Sequence, residues 1–269
     1  MKISNSFRIL ALIASYALFA NTNLQAKGVI TGSPIDSGSY ITFPTFNRYA
    51  DFVSKAYNIC WKMPKGFVDA DSSLSWVPYA KEPTRRLAIT YAGTLKSKDG
   101  NCMILYSDPF LTYTQAKEWK ALPFYDLYSK FTLCEIQTAI LGREAFFYRK
   151  EAPLPLNESC YFYDYPDTNS ARTMMRAGAM QIVNLPLKKN FNEIYSHCTA
   201  VYVHKAGRPT MFFKLFTTEK GFKDINSYLD LLFKNTKYLP QDSSMTYEDA
   251  LALRLKYMTH LDANQAKEN

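Results

Sequence analysis

Apolar and polar positions along this chain fall into two rhythms, a period-two alternation in short runs and a helical spacing in longer ones, so strands and helices are predicted to interleave. Thr45 stands before a helical stretch, residues 46–56, in which Phe46, Tyr49 and Val53 share a face. In the run that follows, Ile59, Trp61 and Met63 alternate onto one side, and Pro64-Lys65-Gly66-Phe67 supplies a turn. The clearest local signal is residues 87–107, where Asp99-Gly100 separates two alternating runs and predicts a hairpin with a two-residue type I′ turn. Pairing Lys98 with Asn101 sets Leu95 opposite Ile104 and Gly93 opposite Tyr106, and places Cys102 on the same apolar face as Ile104 and Tyr106.

Further along, Thr112-x-x-Gln115 has the form of a capping box, and Ala116, Trp119, Phe124, Leu127 and Phe131 follow a helical face that Pro123 should kink. Strands are expected at 131–139 and 143–150. Residues 151–170 hold too many turn formers for a regular element, apart from a short strand at 160–165. A strand at 179–184 leads to a second hairpin, 193–204 with 210–217, joined by Lys205-Ala206-Gly207-Arg208-Pro209. Phe222, Ile225, Leu229, Leu232 and Phe233 then form the apolar stripe of a helix running to about Lys237. A last helix follows, with Thr246 capping toward Asp249, Leu251, Leu255 and Met258 on one side, and His260 near its end. It is expected to dock on the domain or on a partner. Hairpin-joined strands with inserted helices predict an α+β fold, a mostly antiparallel β-sheet covered by helices in a single main domain. That domain is placed at 45–239, between a lead-in at 27–44, with an edge strand near 40–43, and a C-terminal linker and helix at 240–269.

The first 26 residues change this picture. Lys2 and Arg8, an apolar run at 9–20 and a polar stretch ending in Leu24-Gln25-Ala26 have the form of a cleavable signal peptide, which places the mature chain in the periplasm or outside the cell. No later run is long and apolar enough for a membrane-spanning helix. Loss of Lys2 and Arg8 takes the formal charge from +8 to +6. The remaining basic residues are scattered in small pairs, which together with export excludes nucleic acid as the expected partner.

Chemistry is sparse. The five cysteines, Cys60, Cys102, Cys134, Cys160 and Cys198, are widely spaced with no Cys-x-x-Cys, so they are expected as disulfides or buried thiols, with no metal site and no cofactor. Two of the three histidines flank Cys198. On a strand, His197 and Cys198 point to opposite faces, while Cys198 and His204 share a face about 20 Å apart at roughly 3.3 Å per residue. A thiolate needs its base within about 3 Å, so no catalytic dyad is expected here. His204 is expected at a solvent-facing strand end. No nucleophile elbow, zinc-protease helix, phosphate loop or dinucleotide fingerprint occurs, and no catalytic residue is assigned. The surface feature that stands out is Tyr161, Tyr163, Asp164, Tyr165 and Asp167, where aromatic faces edged by carboxylates suit contact with a sugar or a peptide.

The Pro64, Gly66, Phe67 turn after an early strand, a mid-chain helix, and a closing hairpin followed by a helix resemble the PsbP/MOG1-like family of α/β/α sandwiches over about residues 57–239. That resemblance implies a binding or assembly role without catalysis. The function expected is therefore an exported module that contacts a protein or envelope component. The alternatives are a hydrolase with a nonlocal thiol or carboxylate site, and a glycan or small-ligand receptor using the aromatics at 161–165.

Overall fold

The computed structural model describes residues 39–70, 74–76, 89–107, 109, 162–187, 190–205, 208–240, 245, 247–257 and 259–262. The expected signal peptide, Cys134, Cys160, Tyr161 and the helix and strands expected between 110 and 150 lie outside the described residues.

Alternating runs do pair into a sheet. Its strands are β3 (Phe67–Asp69), β4 (Leu74–Trp76), β5 (Ile89–Ser97), β6 (Cys102–Ser107), β7 (Ala179–Leu185), β8 (His197–His204) and β9 (Met211–Thr217). The order is β3-β5-β6-β9-β8-β7, with β4 also on β5, and every pairing is antiparallel. Two small ribbons flank it: β1 (Ser39–Thr42) with β11 (Thr259–Asp262), and β2 (Ile59–Trp61) with β10 (Thr236–Tyr238). The helices are α1 (Phe46–Tyr57), α2 (Thr168–Met174), α3 (Glu219–Lys223), α4 (Ile225–Lys234) and α5 (Tyr247–Tyr257). The result is the expected α+β architecture, a mostly antiparallel sheet with helices against it.

Leu95 pairs with Ile104 and Gly93 with Tyr106, the register set by the alternation. The turn differs from type I′, because only Gly100 has positive φ (74°). Asp99 holds it instead, accepting hydrogen bonds from Ser97 Oγ, Asn101 N and Asn101 Nδ2. These bonds hold its carboxyl down to about 2, led by the Ser97 hydroxyl. Farther along β5 the register slips between Tyr91 and Gly93. This bulge turns both Ala92 and Gly93 toward α1 and sends Tyr91 to the opposite face.

On one face, Leu95, Ile104, Tyr106, Val201, Phe213 and Leu215 pack with α1, α4 and the β2–β10 ribbon. Thr45 caps α1 by accepting from Arg48 N, Asp69 accepts from Phe46 N, and Asn58 closes the helix in the left-handed region. Arg208, itself buried, donates to the carbonyls of Tyr57, Asn58 and Leu239, fastening the end of α1 to the segment after β10. On the other face, Met103, Leu105, Ala200, Tyr202, Phe212 and Phe216 are also buried, and Phe191 stacks on Phe216 at 4.0 Å.

Several expectations are corrected. The second hairpin starts at His197 rather than 193, because Asn192 and Glu193 adopt positive φ in a tight turn that bridges Phe191 to Tyr195. The helix expected to reach about Lys237 is broken at Asp224 and ends at Lys234. Beyond it, Thr236 and Tyr238 are buried on β10, and Lys237 between them in the chain is half-exposed. Of the strand expected at 160–165, the described part is one bridge, Phe162 to Val183, before the chain turns into α2. His260 sits on β11 rather than on a helix. α5 docks on α1: Arg48 donates to the carbonyls of Lys256 and Tyr257, and the Tyr257 hydroxyl joins Asp51 and Lys55.

Two glycines mark where layers touch. A Cβ on Gly93 would lie 2.9 Å from the Tyr49 ring and 3.0 Å from the Phe46 ring. A Cβ on Gly221 would lie 2.3 Å from the Asn101 carbonyl oxygen, where α3 sits on the β5–β6 turn. Alanine gains about 1 kcal/mol of helix propensity over glycine, whereas overpacking costs about 1–3 kcal/mol and a backbone carbonyl cannot swing aside. Gly221→Ala should therefore lower the midpoint of chemical denaturation, as should Gly93→Ala. A midpoint unchanged or raised in both would contradict this packing.

Candidate functional site

The segment that the sequence singles out is anchored to the edge of the sheet. Tyr163 N donates to Ile182 O at 2.9 Å, beside the Phe162–Val183 bridge, and carries the chain across β7. Pro166 then turns it. Both Thr168 N and Thr168 Oγ1 donate to Tyr165 O, at 3.2 and 2.6 Å, which starts α2. Buried Ala171 helps seat the short helix in the core shared with α4. This is how Tyr165 and Asp167 come to face residues more than sixty positions away.

The Tyr163 hydroxyl donates to Asn226 Oδ1 at 2.8 Å, and the Tyr165 hydroxyl donates to Asp230 Oδ1. Tyr165 is only 5% exposed, and its ring meets Phe233 edge-on with centroids 5.3 Å apart. Burial, followed by the Asp230 carboxylate that holds its proton, pushes the Tyr165 phenol up. Its face is therefore turned to the core, while its polar tip reaches a cavity of about 150 Å³. Asp167, Met174, Asp230, Phe233 and Lys234 line the same cavity, and Lys234 stands 3.8 Å from Asp230. Asp164 is exposed outside it, and Tyr163 is half-buried against α4. The cavity sets two carboxylates and one ammonium beside an apolar wall. That combination can orient a small polar ligand or seat a protruding side chain.

Thiols and histidines do not converge. Cys102 is fully buried with α1, and Cys198 is buried on the opposite face of the sheet. Burial, then the charge of Asp99, pushes the Cys102 thiol well above its ordinary range, which disfavours the nucleophilic thiolate. Cys60, half-exposed on β2, and Cys102 are free thiols. His197 points away from Cys198 as the strand period requires, stacks on Phe222 at 4.0 Å and approaches Glu219 at 3.0 Å. This contact holds the exposed Glu219 carboxyl below its usual range. His204 corrects the expectation of an exposed strand end. It is 4% exposed, the turn after α2 crosses it through Gly178 N to His204 O at 2.8 Å, and burial lowers its pKa. Among the described residues no three His, Cys, Asp or Glu side chains gather to hold a metal ion.

Among the buried charges that escaped the sequence reading, one lies within the sheet itself. Lys214 on β9 is fully buried, donates to the Tyr202 hydroxyl at 2.8 Å, and lies 4.7 Å from the centre of that ring. A lysine between Phe212 and Phe216 on an alternating strand was the available signal.

No protein-family model, curated protein or solved structure matches the chain.

The thiol geometry predicts the order of alkylation. With iodoacetamide and mass-spectrometric mapping, Cys60 should label in the native protein and Cys102 only after denaturation. Rapid native labelling of Cys102 with an acid-shifted pH profile would contradict its placement.

Proposed function

We propose that this chain is a non-enzymatic binding or assembly module, which contacts a protein or envelope component through the face built by residues 162–174 and α4. The observation that carries this reading is the α2–α4 cavity with Met174, 43% exposed, on its lining, together with Phe162, 39% exposed, on the same segment. Large apolar side chains left in water next to a concave, partly charged surface suit an interface. Of the thiols and imidazoles, Cys102 and His204 are buried, and His197 lies flat on Phe222.

The signal-peptide form of residues 1–26 supports a partner in the periplasm or outside the cell, and nucleic acid is no part of the reading. Among the described residues no helix is long and apolar enough to cross a membrane. The likeness to PsbP/MOG1-like proteins belongs to the same proposal. Support for it comes from the Pro64–Phe67 turn, closed by Phe67 N to Pro64 O at 3.1 Å with Gly66 at φ 87°. A second reading, a small-ligand or glycan receptor, is favoured by Asp167 and Asp230 in the cavity, although the buried Tyr165 ring offers no stacking face.

Site-specific photo-crosslinking in cells tests the module reading. A photoreactive residue at Phe162 or Met174 should give the same discrete protein or lipid adduct, and one at exposed Lys62 or Lys98 should give none. Equal adducts at all four positions, or none at any, would contradict it.

A further inference from the structure

The turn that leaves α2 has an unexpected residue in it. Arg176 N donates to Thr173 O and Ala177 N to Arg172 O, each at 3.0 Å, the paired bonds that close a helix through a left-handed residue. That residue is Arg176, at φ 55°, where glycine is usual because a side chain in this region costs energy. Gly178 N then donates to His204 O at 2.8 Å, which sets the turn against the end of β8. Lys205 follows directly. Its Nζ lies 5.7 Å from the Tyr238 ring centre, and the Arg208 guanidinium lies 5.5 Å from the same centre.

Lys205 and Arg208 therefore share the Tyr238 ring at one end of the sheet, and the turn that carries Arg176 is bonded against the same end, with Gly178 beside the Lys205 backbone. Among the described residues, none of these three cations has a carboxylate partner, in contrast to Lys55 with Asp51 and Lys234 with Asp230. Arg208 spends donors on neutral carbonyls and lies over the Tyr238 ring, so no carboxylate neutralises its charge. The end of α2 favours one nearby cation and does not account for three. Their proximity already works against them: burial, then the charges of Arg208 and Arg176, lower the pKa of Lys205.

We propose that Arg176 and Lys205, backed by Arg208 and Tyr238, form a binding site for a phosphate-type anion. A guanidinium fork and a point-charge ammonium together match tetrahedral oxyanions, and a dianion would relieve the mutual repulsion. This site uses residues other than those lining the α2–α4 cavity, so it stands or falls apart from the module reading. The same chemistry is available in a free phosphate and in a phospholipid headgroup.

The test uses the mature chain, Arg176→Gly, Lys205→Gln and a Lys98→Gln control. Arg176→Gly removes the charge and also the left-handed strain, so its Tm without ligand should be no lower than wild type. Inorganic phosphate, titrated at constant ionic strength in chloride, should raise the Tm of wild type and control, with binding about ten-fold or more weaker in both site variants. In the second arm, vesicles of phosphatidylcholine with phosphatidic acid should co-sediment the wild type, and both site variants should lose that binding. Site-dependent binding to phosphate alone identifies a free anion, and to the vesicles a headgroup. Wild type unresponsive in both arms, or site variants that respond like the control, would overturn the proposal.

Discussion

Both faces of the sheet are closed to water along its middle strands, β6, β9 and β8, and the rest of the molecule follows from that constraint. An antiparallel sheet commonly leaves one face solvated and shows a clean apolar-polar alternation. Here β6 and β9 are buried at every position and β8 at all but His197. Aromatic and aliphatic side chains fill both sides, so the sheet has no open floor on which to build a site. Chemistry is left to its ends, its edges and the segments that cross them.

Close approach on the α1 side depends on missing side-chain atoms and on one buried cation. Gly93, turned toward α1 by the bulge, admits the Tyr49 ring, and Tyr49 in turn donates its hydroxyl to Ser107 O at 2.6 Å across the sheet. Arg208 adds charged donors to the carbonyls of Tyr57 and Asn58 at the end of α1, the second of which also accepts from Leu239 N at 2.7 Å. The same residue brings a positive charge with no carboxylate partner among the described residues to the end of the sheet where the α2 turn and β8 meet. Structural fastening and a capacity to attract anions thus arise from one side chain.

Local rhythm was enough to read the β5–β6 register and α1, because Asp99-Gly100 and Thr45 punctuate runs whose period is unambiguous. α2 was hidden: Pro166, Asp167, Thr168, Asn169 and Ser170 are turn formers, and seven residues become helical there through packing on α4. β10 is three residues long and exists through its pairing with β2. Tyr165 and Asp167 were legible as neighbours in the chain, whereas Asp230 and Lys234 join them from α4, a pairing that no local pattern encodes. His204 was misjudged for the same reason, since the turn that buries it comes from a different part of the chain.

Lys214 reports directly on whether the sheet is closed on both sides. It sits fully buried between Phe212 and Phe216 on the face opposite α1, held by Tyr202. Acylation of the native protein with an amine-reactive reagent, mapped residue by residue, should modify exposed Lys62 and Lys98 and leave Lys214 untouched until the chain unfolds. Modification of Lys214 at the pace of Lys98 would mean that this face is open, and that the sheet itself, rather than its ends, is the surface on which this protein works.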